Sequence, residues 1–138
     1  MSIFASSRFL PRVMAADALS CAATGALQLG LTDTLARLTG LPTALLTGTG
    51  VFLLAYAALA AWMARRPVPP RRLIGLLVVG NLAWAAGGVA LLASGLVAHT
   101  VLGAAWVLVQ GVVVIVLAQL QWMGLRATHP ARGRMAVA

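Results

Sequence analysis

The chain has 138 residues, 62% of them hydrophobic and 9% charged, with a mean hydropathy of +0.99. Soluble domains carry charge on about a quarter of their residues, so this composition excludes a water-covered globular fold. The net charge of +8 comes from ten arginines against Asp17 and Asp33, with no lysine or glutamate. These arginines stand between apolar blocks instead of clustering on a polar scaffold, which marks them as membrane topology signals and excludes a nucleic-acid face. The abundance of Ala, Gly, Leu and Arg points to a GC-rich bacterial genome.

The first apolar stretch, Ala18–Thr32, is short and becomes a span only when extended back past Asp17 and Arg12. Ala18-Leu19-Ser20-Cys21 has the outline of a lipoprotein processing box. Ala18 replaces the usual leucine, however, and Asp17 breaks the uncharged run, so the segment reads as a retained helix. Cys21 is the single cysteine, which excludes an internal disulfide or a CxxC pair.

Crossing a hydrocarbon layer of about 30 Å takes about 20 apolar helical residues. Leu38–Ala64 therefore supplies one further span and Leu73–Leu125 supplies two. The expected helices are 11–37, 43–64, 73–96 and 100–125. Gly40-Leu41-Pro42 ends the first and opens the second, with Pro42 near the first turn where its missing N–H does no harm. Pro67-Val68-Pro69-Pro70 separates two hairpins. Residues 126–138 form a polar tail.

With four spans, nine arginines fall on one side and only Arg37 on the other. The positive-inside rule then places both termini and the loop Arg65–Arg72 in the cytoplasm of a bacterial inner membrane. Trp62 and Trp122 fall at cytoplasmic helix ends, the usual level for an indole. The expected fold class is an all-α polytopic membrane protein, a four-helix bundle of two hairpins forming a single domain.

Polar residues inside the spans are costly and must find partners. Asp17, Ser20, Cys21, Thr24 and Gln28 share one face of the first helix. Asn81 and Trp84 share a face of the third, and His99, Gly103, Trp106, Gln110 and Gln121 a face of the fourth. Depth at 1.5 Å per residue sorts them into two layers. Asp17, Asn81 and Gln121 form a cytoplasmic cluster, with Asp17 about 8 Å in; these three and Cys21 are the ligand- or ion-binding candidates. Gln28, Thr47 and Gln110 form a periplasmic layer of interhelical hydrogen bonds, and Gly80, Gly87, Gly88, Gly103 and Gly111 let helices approach. Asp17 is expected to be neutralised by Arg12, Arg71 or Arg72. Arg65, Arg66, Arg71 and Arg72 are candidates for anionic lipid headgroups.

Other chemistry is excluded by spacing. Asp17 and Asp33 lie about 24 Å apart on one helix, too far for a carboxylate dyad. His99 and His129 fall on opposite sides of the membrane, so one chain cannot use both for haem or metal. Asp33 and Arg37 read as a structural i,i+4 pair, and the glycines lie within apolar helices, not in a phosphate-binding loop. The chain is therefore expected to be no enzyme, with no catalytic residues, metal or cofactor.

Ala15-Ala16-Asp17-Ala18 with Cys21, Gly40-Leu41-Pro42, Asn81 with Trp84, and Leu120-Gln121-Trp122-Met123-Gly124-Leu125-Arg126 resemble a group of uncharacterised bacterial four-helix inner-membrane proteins, which transfers no activity. In size and helix count the chain is also similar to small multidrug resistance transporters, which use a carboxylate in helix 1. That likeness would give the role to Asp17, although that family typically uses Glu at greater depth and its helix motifs are absent here.

These readings lead to a non-enzymatic accessory or structural subunit whose partners are the lipid bilayer and other membrane proteins or a second copy. The alternatives are a small dimeric proton- or cation-coupled transporter using Asp17, and a bundle that binds a lipid or apolar ligand.

Overall fold

The computed structural model describes residues 3–128, which form five α-helices, a short 3-10 turn at Ile3–Ala5, and no strand. The helices are α1 (Phe9–Gly30), α2 (Thr32–Thr39), α3 (Thr43–Ala64), α4 (Arg71–Ser94) and α5 (Val101–Ala127). Three of them, α3, α4 and α5, are long and apolar enough to cross a membrane. The 22-residue α1 carries Arg12 and Asp17 and is not among them.

Each boundary has a local cause. Pro11 sits in the first turn of α1, where an N–H would have no intrahelical partner. The expected single helix over 11–37 is broken at Leu31, which leaves the helical region at φ −125° and ψ 31°. The Thr32 hydroxyl turns back to the Gln28 carbonyl at 2.5 Å, a bond that competes with the helical ladder and bends the chain. Gly40, at φ +71°, ends α2 in the left-handed conformation that favours glycine, and Gly95, at φ +68°, stands at the same place after α4. Pro42 and Pro70 are the N-caps of α3 and α4, and Thr100 caps α5 by accepting from the Gly103 N–H at 3.1 Å.

The long helices run alternately up and down as two hairpins, α1 with α3 and α4 with α5, joined where α1 lies against α5. No Cα of α3 comes within 8 Å of a Cα of α4. That side of the ring is closed by side chains alone. Phe52 stacks on Trp84 with centroids 5.5 Å apart and planes 8° from parallel, and Tyr56 bonds Asn81 at 3.2 Å.

Arg8, Arg12, Arg65, Arg66, Arg71, Arg72 and Arg126 all gather at one end of the bundle, and Arg37 stands at the other. Leu10, Met14, Ala18, Ala60, Met63, Ile74 and Leu77 fill the core at the arginine end. Trp62 and Trp122 lie exposed there, with the Arg66 and Arg126 guanidiniums 4.2 and 4.9 Å from their ring centres.

Glycine does serve close approach, at positions that include two of the five expected, Gly88 and Gly103. A Cβ on Gly25 would meet the Gly50 carbonyl at 2.9 Å, and one on Gly124 would meet Leu10 at 2.8 Å. Gly103 backs directly onto the Thr39 carbonyl and Gly88 onto Val107, whereas Gly80 and Gly87 face open space and Gly111 makes only ordinary contact with Ala85. The segment 129–138, with His129 and most of the expected tail, lies outside the described residues.

Candidate functional site

Asp17 lies about eight residues into α1, so about 12 Å from its start, deeper than expected because the helix begins at Phe9. Its side chain has no exposed surface. Three donors converge on Oδ2: Gln121 Nε2 of α5 at 2.6 Å, the Tyr56 hydroxyl of α3 at 2.9 Å and Asn81 Nδ2 of α4 at 3.4 Å. Oδ1 receives only the Cys21 thiol, one turn along α1, at 3.6 Å. Asn81 Nδ2 also lies 3.4 Å from Gln121 Oε1, so the polar groups bond one another as well as the acid. Every neighbour donates to the carboxyl, the arrangement that suits an acceptor-only carboxylate.

The structure thus brings together Asp17, Cys21, Asn81 and Gln121 and adds Tyr56, which the sequence reading missed. The signal was present. Tyr56 lies about as far from the end of α3 as Asp17 lies from the start of α1, and antiparallel packing puts equal depths side by side.

The expected arginine partner of Asp17 is absent among the described residues. Arg12 is exposed, because a five-residue step turns it about 140° away from Asp17. Arg71 is held elsewhere: its guanidinium donates to the Leu125 carbonyl at 2.5 Å and to the carbonyl and hydroxyl of Thr128 at 3.1 and 3.0 Å. It caps the C-terminal carbonyls of α5 and is not free for a lipid headgroup, unlike the exposed Arg65, Arg66 and Arg72. Arg37 bonds Thr34 at 3.3 Å in place of the expected pair with Asp33.

The second layer forms only in part. Gln28 Oε1 accepts from Thr49 at 3.0 Å, joining α1 to α3. Thr47 is exposed and makes no such bond, since two residues along a helix is about 200° around it. Gln110 has no hydrogen-bond partner among the described residues, and neither does the buried indole N–H of Trp106, one turn before it.

Around this half of the bundle the helices part into two clefts. One, of about 380 Å³, opens between α1 and α5 beside Cys21 and Thr24; the other, of about 490 Å³, opens between α3 and α4 beside Gln28 and Phe52. Trp84, Trp106 and Gln110 form the wall common to both. A small cavity of about 60 Å³ adjoins Cys21, Tyr56 and Asn81 on that side of the cage. Asp17 itself lines none of these spaces, and the core beneath it is packed. No cluster of His, Cys, Asp or Glu that could hold a metal occurs among the described residues.

No family model, no curated protein and no solved structure matches the chain.

Proposed function

We propose that this chain is a four-span protein of the bacterial cytoplasmic membrane, both termini inside, that works without catalysis as an accessory or structural subunit. It packs within the bilayer against other membrane proteins or a second copy. One observation carries this reading: the carboxyl of Asp17 is buried and bonded by donors from all four long helices. An acid enclosed in that way fastens the bundle and is not presented to a substrate. The fourth span is α1, which lies along α3 over its length and places the arginines of both hairpins at one end. The positive-inside rule makes that end cytoplasmic.

Outward-facing surface supports a packing role. Leu76, Val79, Leu108, Val109 and Val112 stand exposed on α4 and α5, and in the bilayer such faces are available to lipid or to another helix. The test is purification in mild detergent after in-membrane crosslinking. A defined partner, or a discrete dimer, crosslinked through α4 or α5 is the expected result; a monomer crosslinked only to lipid would overturn the reading.

A second reading has its own support. Asp17 has no cation beside it among the described residues, and an acid at membrane depth without an ionic partner suits the binding of a proton or cation. The likeness in helix count to small multidrug resistance transporters accords with that role.

A further inference from the structure

The wall shared by the two clefts contains hydrogen-bond donors that find no partner among the described residues, and the cleft between α3 and α4 adds Gln28 to them. Among the described residues, Trp106 Nε1 is buried without an acceptor, and Gln110 has no partner for either end of its amide. Gln28, on the floor of the same cleft, spends Oε1 on Thr49, and its amide nitrogen makes no bond. If Gln110 Oε1 turned to take the indole proton, both hydrogens of its own nitrogen would still be unmet. The balance therefore calls for an added acceptor. In hydrocarbon no water supplies one, and an unmet N–H is costly there.

The walls constrain what carries that acceptor. Phe52 and Trp84 stack nearly parallel at 5.5 Å and span the gap that the α3 and α4 backbones leave. Each ring covers one face of the other, and the aromatic surface they still turn to the apolar cleft suits a flat conjugated ring. The space of about 490 Å³ lies within the range of small-molecule sites. With the middle of α5 taken as the bilayer midplane, depth separates the site from the ester carbonyls of the surrounding phospholipids. Helix α5, at 27 residues, is about 40 Å long, and Gln110 lies about 14 Å from its start, within about 6 Å of its middle. Ester carbonyls stay at the edge of the hydrocarbon layer, about 15 Å from the midplane.

We infer that this cleft is a binding site for a planar, conjugated, carbonyl-bearing apolar molecule of the quinone class, its ring against Trp84 and its carbonyl oxygen accepting from Gln110. The site reaches Gly80, next to the Asn81 that bonds Asp17, but Asp17 does not line it, and it does not depend on the accessory reading.

The test uses the full chain in detergent, in a Trp62→Phe/Trp122→Phe background so that only Trp84 and Trp106 fluoresce. The probe is a benzoquinone bearing a saturated decyl tail. Saturable quenching is expected, weakened about tenfold by Gln110→Leu, the effect of one lost hydrogen bond. Gly87→Leu provides an independent control, because Gly87 lines the cleft and a side chain there starts with no neighbour within 4 Å. It should fill the space and abolish saturable quenching with melting unchanged. Quenching that stays linear with added quinone, or that is the same in Gln110→Leu and Gly87→Leu as in the parent chain, overturns the inference. So does a co-purified phospholipid that the quinone fails to displace, since the occupant is then an acyl chain.

Discussion

Tyr56 and Asp17 are 39 residues apart in the chain and share a hydrogen bond of 2.9 Å across the α1–α3 hairpin. Their bond makes the hairpin one unit, and the same carboxyl oxygen ties it to α4 and α5 through Asn81 and Gln121. Tyr56→Phe removes one donor and leaves the ring in place. It should lower stability by about 1–2 kcal/mol, between the values for an ordinary hydrogen bond and for one to a charged group, as measured by thermal or denaturant unfolding in detergent. No loss would show that the other two donors suffice.

Asp17→Asn separates a fastener from a carrier. The amide is nearly isosteric, yet its nitrogen would place a donor among the donors of Tyr56, Asn81 and Gln121. Rotation can keep one oxygen towards them but then turns the amide nitrogen towards the Cys21 thiol. If Asp17 is a fastener, the variant loses about 1–3 kcal/mol. If Asp17 is a carrier, stability changes little and coupled uptake is abolished. Unfolding and an uptake assay on the same preparation distinguish the two.

Two amides that look alike in the sequence should behave differently. Asn81 is buried and bonded to Asp17, to Gln121 and to Tyr56, whereas Gln110 bonds nothing among the described residues. Asn81→Leu should cost about 0.5–2 kcal/mol, and Gln110→Leu should leave stability unchanged or raise it slightly. Equal losses in both would mean that Gln110 has an interhelical partner in the membrane.

Topology can be read from cysteines on exposed residues in a Cys21→Ala chain. Cysteines at Ile3 and Val68 should label only from the cytoplasm, and cysteines at Leu38 and Leu96 only from outside; all four positions are exposed. The comparison of Ile3 with Leu38 tests α1 as a span directly. Labelling of both from one side would reduce the bundle to three crossings.

Much of this architecture was legible because apolar run length and proline punctuation are strong signals in a membrane chain. α3 has the expected bounds, and α4 and α5 depart from theirs by about two residues. The cage was legible in part through depth counting, since Asp17, Asn81 and Gln121 lie at matching levels. Three things were not. The break at Leu31 depends on the Thr32 hydroxyl choosing a carbonyl, which composition does not announce. Choosing Thr47 over Thr49 is an azimuth error, and depth counting is blind to azimuth. Giving Asp17 an arginine rested on matching depth, and depth does not set direction: Arg12 is turned outward and Arg71 is held by the end of α5. The long-range partner of Arg71, the end of α5, could not be found from local spacing.

The tightest backbone approach in the fold yields the last prediction. At the far end of the bundle, α2 docks on the start of α5: the Thr100 N–H donates to the Thr39 carbonyl at 2.8 Å and its hydroxyl to the Leu38 carbonyl at 2.7 Å. Gly103, one turn into α5, makes that docking possible. A Cβ there would overlap the Thr39 carbonyl oxygen and lie 3.3 Å from His99. The oxygen is backbone at the end of a helix, so it cannot swing aside as a side-chain tip would. Gly103→Ala must push α2 away from α5, stretch both Thr100 bonds, or both, at a cost of about 1–3 kcal/mol. Its control is Gly48→Ala, where the added methyl meets nothing within 4 Å and the residue is exposed in α3. There the gain in helix propensity should raise stability by up to about 1 kcal/mol. Hydrogen exchange locates the effect: Gly103→Ala should speed exchange at Gly40 and Thr100 while the amides around Asp17 keep their protection. Opposite signs for the two alanines are the expected outcome. A stabilising Gly103→Ala would mean that α2 does not sit against α5 in the membrane.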